Sequence, residues 1–208
     1  MTTQQIKLSK AFCLSGIIGI IFYLLHDIVG AMYYPGYNWM NQAVSDLTAT
    51  DAPSRIVAGG FSNVYGIMSC ICCLFVCVLN TDKHKIQKIG LALFTTMEMI
   101  SAIGYSIFPL SSSGYDGSVQ SFMHVYVVTT AVVLLSIVSL IMIAIGSFKS
   151  KRKVLGVLAI IALVMMFVGA VGSNAAPKEI FGVLERFSTY SAVIFTGILG
   201  VTTFLEKA

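Results

Sequence analysis

The sequence predicts an all-α membrane protein with six transmembrane helices. Of its 208 residues, 57% are hydrophobic and only 11% are charged, whereas a soluble domain carries roughly a quarter charged residues. A spanning helix needs about 20 apolar residues to cross a hydrocarbon core ~30 Å thick. Six segments meet this length, and they lack the strict alternation of barrel strands: residues 12–33, 57–79, 88–109, 122–147, 154–175 and 187–205.

No linker or low-complexity tract divides the chain. Residues 1–208 are therefore expected to form a single transmembrane domain. The formal net charge is +4 and neither end carries a long run of like charge, so no nucleic-acid partner is indicated. Membrane lipid is the expected surrounding, and the sequence leaves the oligomeric state open.

The basic residues predict the orientation of the helices. Pro35, Pro109 and Pro177 stand where the first, third and fifth helices end, and proline cannot continue a helix. Three lysines or arginines lie on that side: Arg55, Lys178 and Arg186. Ten lie on the other side: Lys7, Lys10, Lys83, Lys85, Lys88, Lys149, Lys151, Arg152, Lys153 and Lys207. The positive-inside rule therefore predicts three hairpins with outward tips and cytoplasmic termini, in a bacterial cytoplasmic (inner) membrane.

The loops on the predicted outer side differ in length. The first is the longest, and residues 39–50 within it are expected to form a short helix at the interface. The third, residues 177–187, is expected to carry one helical turn before the sixth helix begins.

Polar side chains are concentrated in the outer halves of the helices, which predicts a polar pocket open toward the extracytoplasmic side. An ionisable residue at this depth costs about 2.5–3.5 kcal/mol on insertion scales, so it is a functional candidate by default. The candidate catalytic residues are His26, Asp27, Ser45, Asp46 and His124. The candidate substrate-binding residues are Asn63, Glu98, Tyr105, Asn174, Glu185 and Arg186.

Several of these candidates also have a structural interpretation, because intramembrane charges normally pair and buried carboxyls find donors or protons. Short polar residues can also cap helices, and exposed ion pairs contribute little energy. The structural alternatives are Asp27 paired with Arg186 or bonded to His124, Glu98 protonated or bonded to a tyrosine, Ser45-Asp46 as a helix cap, and Glu185-Arg186 as a surface ion pair.

Two histidines in the outer half raise the hypothesis of a metal site. Catalytic zinc usually has three protein ligands and a water, and His26, His124 and Asp27 would satisfy that number. The same two histidines could instead ligate one haem. Zinc is preferred, because His124 lies nearer the interface than His26 and no haem-attachment motif is present. The cysteines of the second helix are interpreted as apolar packing residues.

Three functions are compatible with this arrangement. The first is a hydrolase acting on a lipid or other amphiphile: a metal ion or carboxylate would activate water and His26 or His124 would transfer protons. Ser45, Asp46 and Arg186 would position the headgroup, and a histidine or a carboxylate with a shifted pKa can perform proton transfer near neutral pH. The second is non-enzymatic binding or transport of a lipid or hydrophobic small molecule, with Glu98 as a proton site. The third is a structural partner of another membrane protein.

Short segments stand in a fixed order along the chain: Tyr34-Pro35-Gly36-Tyr37, Ser45-Asp46-Leu47, Ala52-Pro53, Asn63, Phe108-Pro109, Asp116, His124 and Leu184-Glu185-Arg186. In this order they resemble the bacterial membrane family known as domain of unknown function 998. The resemblance implies the same six-helix plan and no established activity. More distantly, the chain is similar to intramembrane hydrolases of the alkaline ceramidase and adiponectin-receptor type, which combine a Ser/Asp/His set with a zinc site, although their HxxxH pair is absent here.

Overall fold

The computed structural model describes residues 2–206, and its regular structure is helical with no strand in that range. Lys207, one of the ten basic residues that predict the orientation, lies outside the described residues. The α-helices are α1 (Thr3–Cys13), α2 (Ser15–Met32), α3 (Arg55–Leu79), α4 (Lys85–Ile107), α5 (Val119–Phe122), α6 (Thr129–Lys149), α7 (Lys153–Ala175) and α8 (Phe181–Leu205). Short 3-10 helices cover Val44–Thr48 and Lys178–Ile180, and a π-helical segment, Met123–Val128, joins α5 to α6.

The predicted fold class is confirmed, because six helical segments of residues 2–206 are long and apolar enough to cross a membrane. These are Thr3–Met32, Arg55–Leu79, Lys85–Ile107, Val119–Lys149, Lys153–Ala175 and Lys178–Leu205.

The first helical segment starts earlier than residue 12, where the sequence places it. Thr2 and Gln5 form a capping box in which the Gln5 N–H donates to Thr2 Oγ1 at 3.2 Å and the Thr2 N–H donates to Gln5 Oε1 at 2.7 Å. This reciprocal pair satisfies two N–H groups that a helix start otherwise leaves free. Because α1 is polar, hydropathy alone does not detect it.

The last helix also begins earlier than predicted, at Phe181 instead of residue 187. The expected helix over residues 39–50 is reduced to the 3-10 helix Val44–Thr48. Residues 39–43 pack against the first turn of α8, where the Val183 N–H donates to the Met40 carbonyl at 3.2 Å.

The helices pack closely around an apolar core. α2 lies along α3 and α8, α4 lies along α6, and α7 lies along α8. Phe94 of α4 and Phe195 of α8 are fully buried and meet edge to face with ring centroids 5.5 Å apart. Cys72 and Cys73 are buried in the same cluster, and all five cysteines are free thiols. They pack as small apolar residues, as the sequence predicts.

The bundle has two chemically different ends. We call the first the loop end, comprising residues 33–54, 108–118 and 176–180; there the Thr50 N–H donates to the Leu110 carbonyl at 2.8 Å. We call the other the basic end, comprising residues 80–84 and 150–152 with Lys10 and Glu206; there the His84 N–H donates to Ser150 Oγ at 3.1 Å.

Candidate functional site

A buried ion pair between Asp27 of α2 and Arg186 of α8 lies close to the loop end. Arg186 Nε donates to Asp27 Oδ2 at 2.9 Å, and Nη2 donates to Oδ1 at 2.7 Å. Tyr190, one turn along α8, donates its hydroxyl to Asp27 Oδ2 at 2.8 Å. A two-point contact of this kind fixes both the distance and the orientation of the partners. The pairing expected under the structural interpretation of Asp27 is therefore present.

The remaining N–H groups of Arg186 hold the first loop. Nη1 donates to the carbonyls of Trp39 at 2.8 Å and Gln42 at 3.1 Å, and Nη2 donates to Tyr37 Oη at 2.8 Å. Tyr37 in turn donates to the Ala43 carbonyl at 2.8 Å. Every N–H of the guanidinium therefore has an acceptor. Burial raises the pKa of the Tyr37 phenol above its usual range, although the Arg186 charge acts in the opposite direction.

Gly182 makes this contact between loop and helix sterically feasible. A Cβ atom at this position would lie 2.2 Å from the Gln42 carbonyl oxygen and 2.5 Å from that of Trp39. Both neighbours are backbone atoms, so they cannot move aside as a side-chain end can. A residue without a side chain is required here.

Glu185 does not form the expected surface pair with Arg186. Its Oε2 accepts the Val44 N–H at 3.3 Å, and its Oε1 accepts the Thr189 hydroxyl at 3.3 Å. Successive residues of a helix point about 100° apart, so one guanidinium that faces Asp27 does not also reach its neighbour. Glu185 instead fastens the start of the 3-10 helix to α8.

Asp46 connects the first loop to the second. Its buried carboxylate accepts the Ser113 hydroxyl at 2.9 Å and the Gly114 N–H at 3.0 Å. The interpretation of Ser45-Asp46 as a helix cap is wrong, because the capping position of Val44–Thr48 is Ala43 and no side chain bonds there.

Asp116, another residue of the resemblance, stays within the second loop. The N–H and the hydroxyl of Ser118 both donate to its carboxylate, at 3.0 and 2.8 Å. These bonds favour the charged form and lower the pKa of Asp116 to about 2. Asp116 therefore shapes the turn before α5.

His26 is buried, and its hydrogen-bond partner is a backbone carbonyl and not a member of the ion pair. Its Nδ1 lies 3.0 Å from the Ala58 carbonyl of α3, and its ring packs 5.4 Å from that of Tyr23. It links α2 to α3 near the loop end. It adjoins Asp27 in sequence, but the two side chains have different partners.

His124 lies in the π-helical segment, against the end of α4. Its Nδ1 is 2.8 Å from the Phe108 carbonyl, and its ring lies 4.7 Å from the Tyr105 ring. The Thr129 hydroxyl donates to the His124 carbonyl at 2.8 Å and accepts from Tyr105 at 3.1 Å. Single π-helical turns often occur at functional sites. His124 is not bonded to Asp27, so that alternative is not realised.

Glu98 is the most deeply buried carboxyl of the site, with 1% of its surface exposed. The Thr196 hydroxyl of α8 donates to Oε1 at 2.7 Å, and the Tyr65 hydroxyl of α3 donates to Oε2 at 3.2 Å. The contact with a tyrosine was one of the two alternatives expected for it. Within residues 2–206, no lysine, arginine or histidine forms a salt bridge with this carboxyl.

Within residues 2–206, three of the predicted residues form no side-chain hydrogen bond to any of the others. Asn63 and Asn174 are exposed on the helix surfaces, and Asn174 bonds only to the Ala170 carbonyl of its own helix at 2.8 Å. Ser45 is half-buried, and its backbone carbonyl accepts a hydrogen bond from the Thr48 hydroxyl. An open groove at the loop end is lined by none of the predicted catalytic or substrate-binding residues; its lining residues are Gly36, Asn38, Asn41, Gln42, Lys178 and Glu179.

The residues proposed for zinc do not fit a metal site. In the part of the chain that the structure describes, no three His, Cys, Asp or Glu side chains are grouped closely enough to hold a metal ion. His26 and His124 bond to carbonyls of different helices, and both oxygens of Asp27 bind Arg186. His26, His124 and Asp27 therefore do not come together as one set of metal ligands.

Four residues that complete these contacts are not among the predicted site residues: Tyr37, Tyr65, Tyr190 and Thr196. All four carry hydroxyls that donate to or accept from charged groups. Tyrosine and threonine at such positions resemble ordinary interfacial or apolar residues. The one sequence signal that could have suggested these four residues is that each places a hydroxyl group on a segment that faces a buried charged residue.

The fold and the buried charges define a polytopic α-helical membrane protein with a loop end closed by hydrogen bonds. The profile of a family described as protein of unknown function, DUF998, matches residues 17–202. The chain belongs to this family, as the resemblance in the sequence suggests. No curated protein and no solved structure matches the chain significantly.

Proposed function

We propose that this protein binds a lipid or hydrophobic small molecule inside the bundle, without chemical conversion, and that Glu98 is the polar group of the binding site. The observation that carries the proposal is the absence of a cation beside Glu98 within residues 2–206. Within the described residues, the side chains that donate to it carry neutral hydroxyls, among them Tyr65 and Thr196.

The free energy of burying its carboxyl distinguishes Glu98 from a residue that only supports the fold. A charged carboxyl costs several kcal/mol to bury unless it is paired, whereas a protonated one avoids most of that cost. Two hydroxyl bonds between helices could be made equally well by an uncharged amide. A carboxyl at this depth is therefore better explained by a ligand or a proton that it must exchange.

The surroundings suit an amphiphilic ligand. Tyr65 meets Tyr23 edge to face at 4.9 Å, and Tyr23 meets Tyr190 at 5.7 Å. These rings lead from Glu98 toward the Asp27 ion pair and present both apolar faces and hydroxyls. Aromatic side chains with a few placed polar groups are typical of small-molecule sites.

The orientation is part of the proposal. The ten-to-three distribution of basic residues supports a loop end on the extracytoplasmic side of a bacterial cytoplasmic membrane. Asn41 is exposed in the first loop, so Asn41→Cys should react with a membrane-impermeant thiol reagent applied to intact cells. Labelling only after lysis would reverse the orientation.

The hydrolase hypothesis and the structural-partner hypothesis stay predictions. A hydrolase that uses His26, Asp27 and His124 together would require these side chains to converge, but each has a separate partner. No observation favours it over binding.

Native mass spectrometry of the protein purified in mild detergent tests the proposal. The wild-type protein should retain an intact lipid or hydrophobic molecule, and Glu98→Gln should reduce that retention by about tenfold. Glu179→Gln, the same change at an exposed carboxyl of the loop end, is the matched control. If wild type retains nothing, or if Glu98→Gln retains as much as wild type, the proposal is wrong; recovery of a cleaved molecule would favour the hydrolase.

A further inference from the structure

We propose a second ligand site at the basic end, which binds the phosphate group of an anionic phospholipid or of a soluble phosphate. In this structure the position is taken by a carboxylate of the chain itself, Glu206. The inference is independent of the function proposed for Glu98, because the two sites lie at different depths and share no residue.

Among the described residues, three cations contact Glu206. Arg152 Nε lies 2.5 Å from Glu206 Oε1, and Lys83 Nζ lies 3.4 Å from Oε2. Lys10 Nζ donates to the Glu206 carbonyl. These cations come from α1, the turn after α3 and the turn before α7, so the site is assembled from three separate parts of the chain. A carboxylate so placed occupies the position that a phosphate oxygen would take.

Arg152 is held in place by other contacts. Its Nη1 donates to Asn80 Oδ1 at 2.8 Å, and Asn80 Nδ2 donates to Thr203 Oγ1 of α8 at 3.2 Å. Burial lowers the pKa of Arg152, and the nearby charges of Glu206 and Asp82 act in the opposite direction. The guanidinium is therefore preorganised toward Glu206 before any ligand binds.

Buried polar atoms without a hydrogen-bond partner are the second observation that points to a ligand, and Arg152 Nη2 belongs to the side chain that touches Glu206. Within residues 2–206, Arg152 Nη2, both amide atoms of Gln87 and Ser147 Oγ are buried without a hydrogen-bond partner. The backbones of Gln87 and Ser147 pack beside Arg152: a Cβ on Gly146 would meet the Gln87 backbone, and the Arg152 N–H donates to the Ser147 carbonyl at 2.8 Å. Buried polar groups in native structures are nearly always paired. A phosphate offers several acceptors and so provides one for Arg152 Nη2, which the single carboxylate of Glu206 leaves unpaired.

Two helix starts add to the positive potential there. α4 begins at Lys85 and α7 begins at Lys153, and the N-terminus of a helix carries a partial positive charge. The negative charge of anionic lipids attracts basic residues to the membrane surface. A phosphate that binds here must displace the Glu206 carboxylate from these cations.

The test measures phosphatidylglycerol retained by the full chain in phosphatidylcholine nanodiscs with and without added phosphatidylglycerol, by native mass spectrometry. Glu206→Gln removes the competing charge and should raise the affinity on the order of tenfold, while Arg152→Gln should lower it by a similar factor. Lys149→Gln removes an equal charge from the same turn, at an exposed side chain without contact to Glu206, and should behave as wild type. Should Arg152→Gln fail to fold, Lys83→Gln replaces it with the same expectation.

A second arm identifies the source of the phosphate. Inorganic phosphate is added to the Glu206→Gln protein in nanodiscs of phosphatidylcholine alone, where unfolding is measured, and in nanodiscs that also contain phosphatidylglycerol, where the retained lipid is measured. Stabilisation against heat, with displacement of phosphatidylglycerol, assigns the site to a soluble phosphate; retention of phosphatidylglycerol assigns it to the lipid. The proposal is wrong if Glu206→Gln and Arg152→Gln bind both probes as wild type does, or if Lys149→Gln loses as much binding as Arg152→Gln.

Discussion

Asp27 and Glu98 are buried carboxyls of the same bundle with opposite surroundings. Asp27 faces a guanidinium that makes two bonds to it. The same guanidinium also donates to four oxygens of the first loop and α8, three of them backbone carbonyls and one a phenol oxygen. Glu98 faces only hydroxyls. The paired carboxyl thus has a complete structural explanation, whereas the unpaired one does not. We infer that the ion pair holds the loop end closed and that Glu98 serves a ligand.

The largest effect should follow from removing the cation of the pair. Arg186→Gln leaves the Asp27 carboxylate buried without a cation, with only the Tyr190 hydroxyl still donating to it, and breaking a buried pair in this way costs roughly 3–5 kcal/mol. Equilibrium unfolding in mixed micelles measures the loss. The double variant Asp27→Asn, Arg186→Gln should recover part of it, because no charge remains unpaired. If Arg186→Gln is as stable as wild type, the ion pair does not stabilise the fold, and Asp27 no longer differs from Glu98 in that respect.

A smaller loss is expected at the contact that the ion pair supports. Gly182→Ala places a methyl against the Gln42 and Trp39 carbonyls, and overpacking of this kind costs about 1–3 kcal/mol. Trp39 is the one tryptophan of the sequence, so its fluorescence reports movement of the loop directly.

Gly59→Ala is the matched control for Gly182→Ala. Gly59 lies within α3 and has open space around an added Cβ. Alanine is preferred over glycine in helices by roughly 0.5–1 kcal/mol, so this control should be neutral or slightly stabilising. If both alanine variants behave alike, the close approach at Gly182 is not what closes the loop end.

The link between the first and second loops should contribute less. Asp46→Asn weakens the bonds to Ser113 and Gly114, and the expected loss is about 1 kcal/mol, confined to the two loops. Hydrogen exchange of residues 110–118 should become faster, while that of α2 and α8 stays unchanged. Asp51→Asn, an exposed carboxylate of the same loop, serves as the control. Equal exchange in both variants would argue against this link.

The smallest effects should come from predicted residues that face outward. Asn63→Ala and Asn174→Ala are expected to change stability by no more than about 0.5 kcal/mol, the usual range for surface substitutions. Ligand retention should equal that of wild type. A loss of retention at Asn63 would move the binding site to the outer surface of α3.

The sequence predicts some of these contacts and not others, for physical reasons. Asp27 and Arg186 are 159 positions apart, yet their pairing could be expected because a charge in an apolar segment needs an opposite charge. Asp46 offers no such signal, since its partners are a serine hydroxyl and a backbone N–H, and every residue except proline has an N–H. α1 escapes detection because it is polar, and Gly182 because its role depends on a loop that arrives from elsewhere in the chain.

The central claim is that Glu98 serves a ligand while Asp27 serves the fold. The most direct measurement compares Glu98→Gln with Asp27→Asn for two quantities in the same preparation: the temperature of unfolding and the amount of retained ligand by native mass spectrometry. The account predicts that Glu98→Gln unfolds close to wild type and loses its ligand, because glutamine can keep both hydroxyl contacts, whereas Asp27→Asn unfolds at a clearly lower temperature. A Glu98→Gln protein that is destabilised as much as Asp27→Asn and still retains its ligand would contradict it.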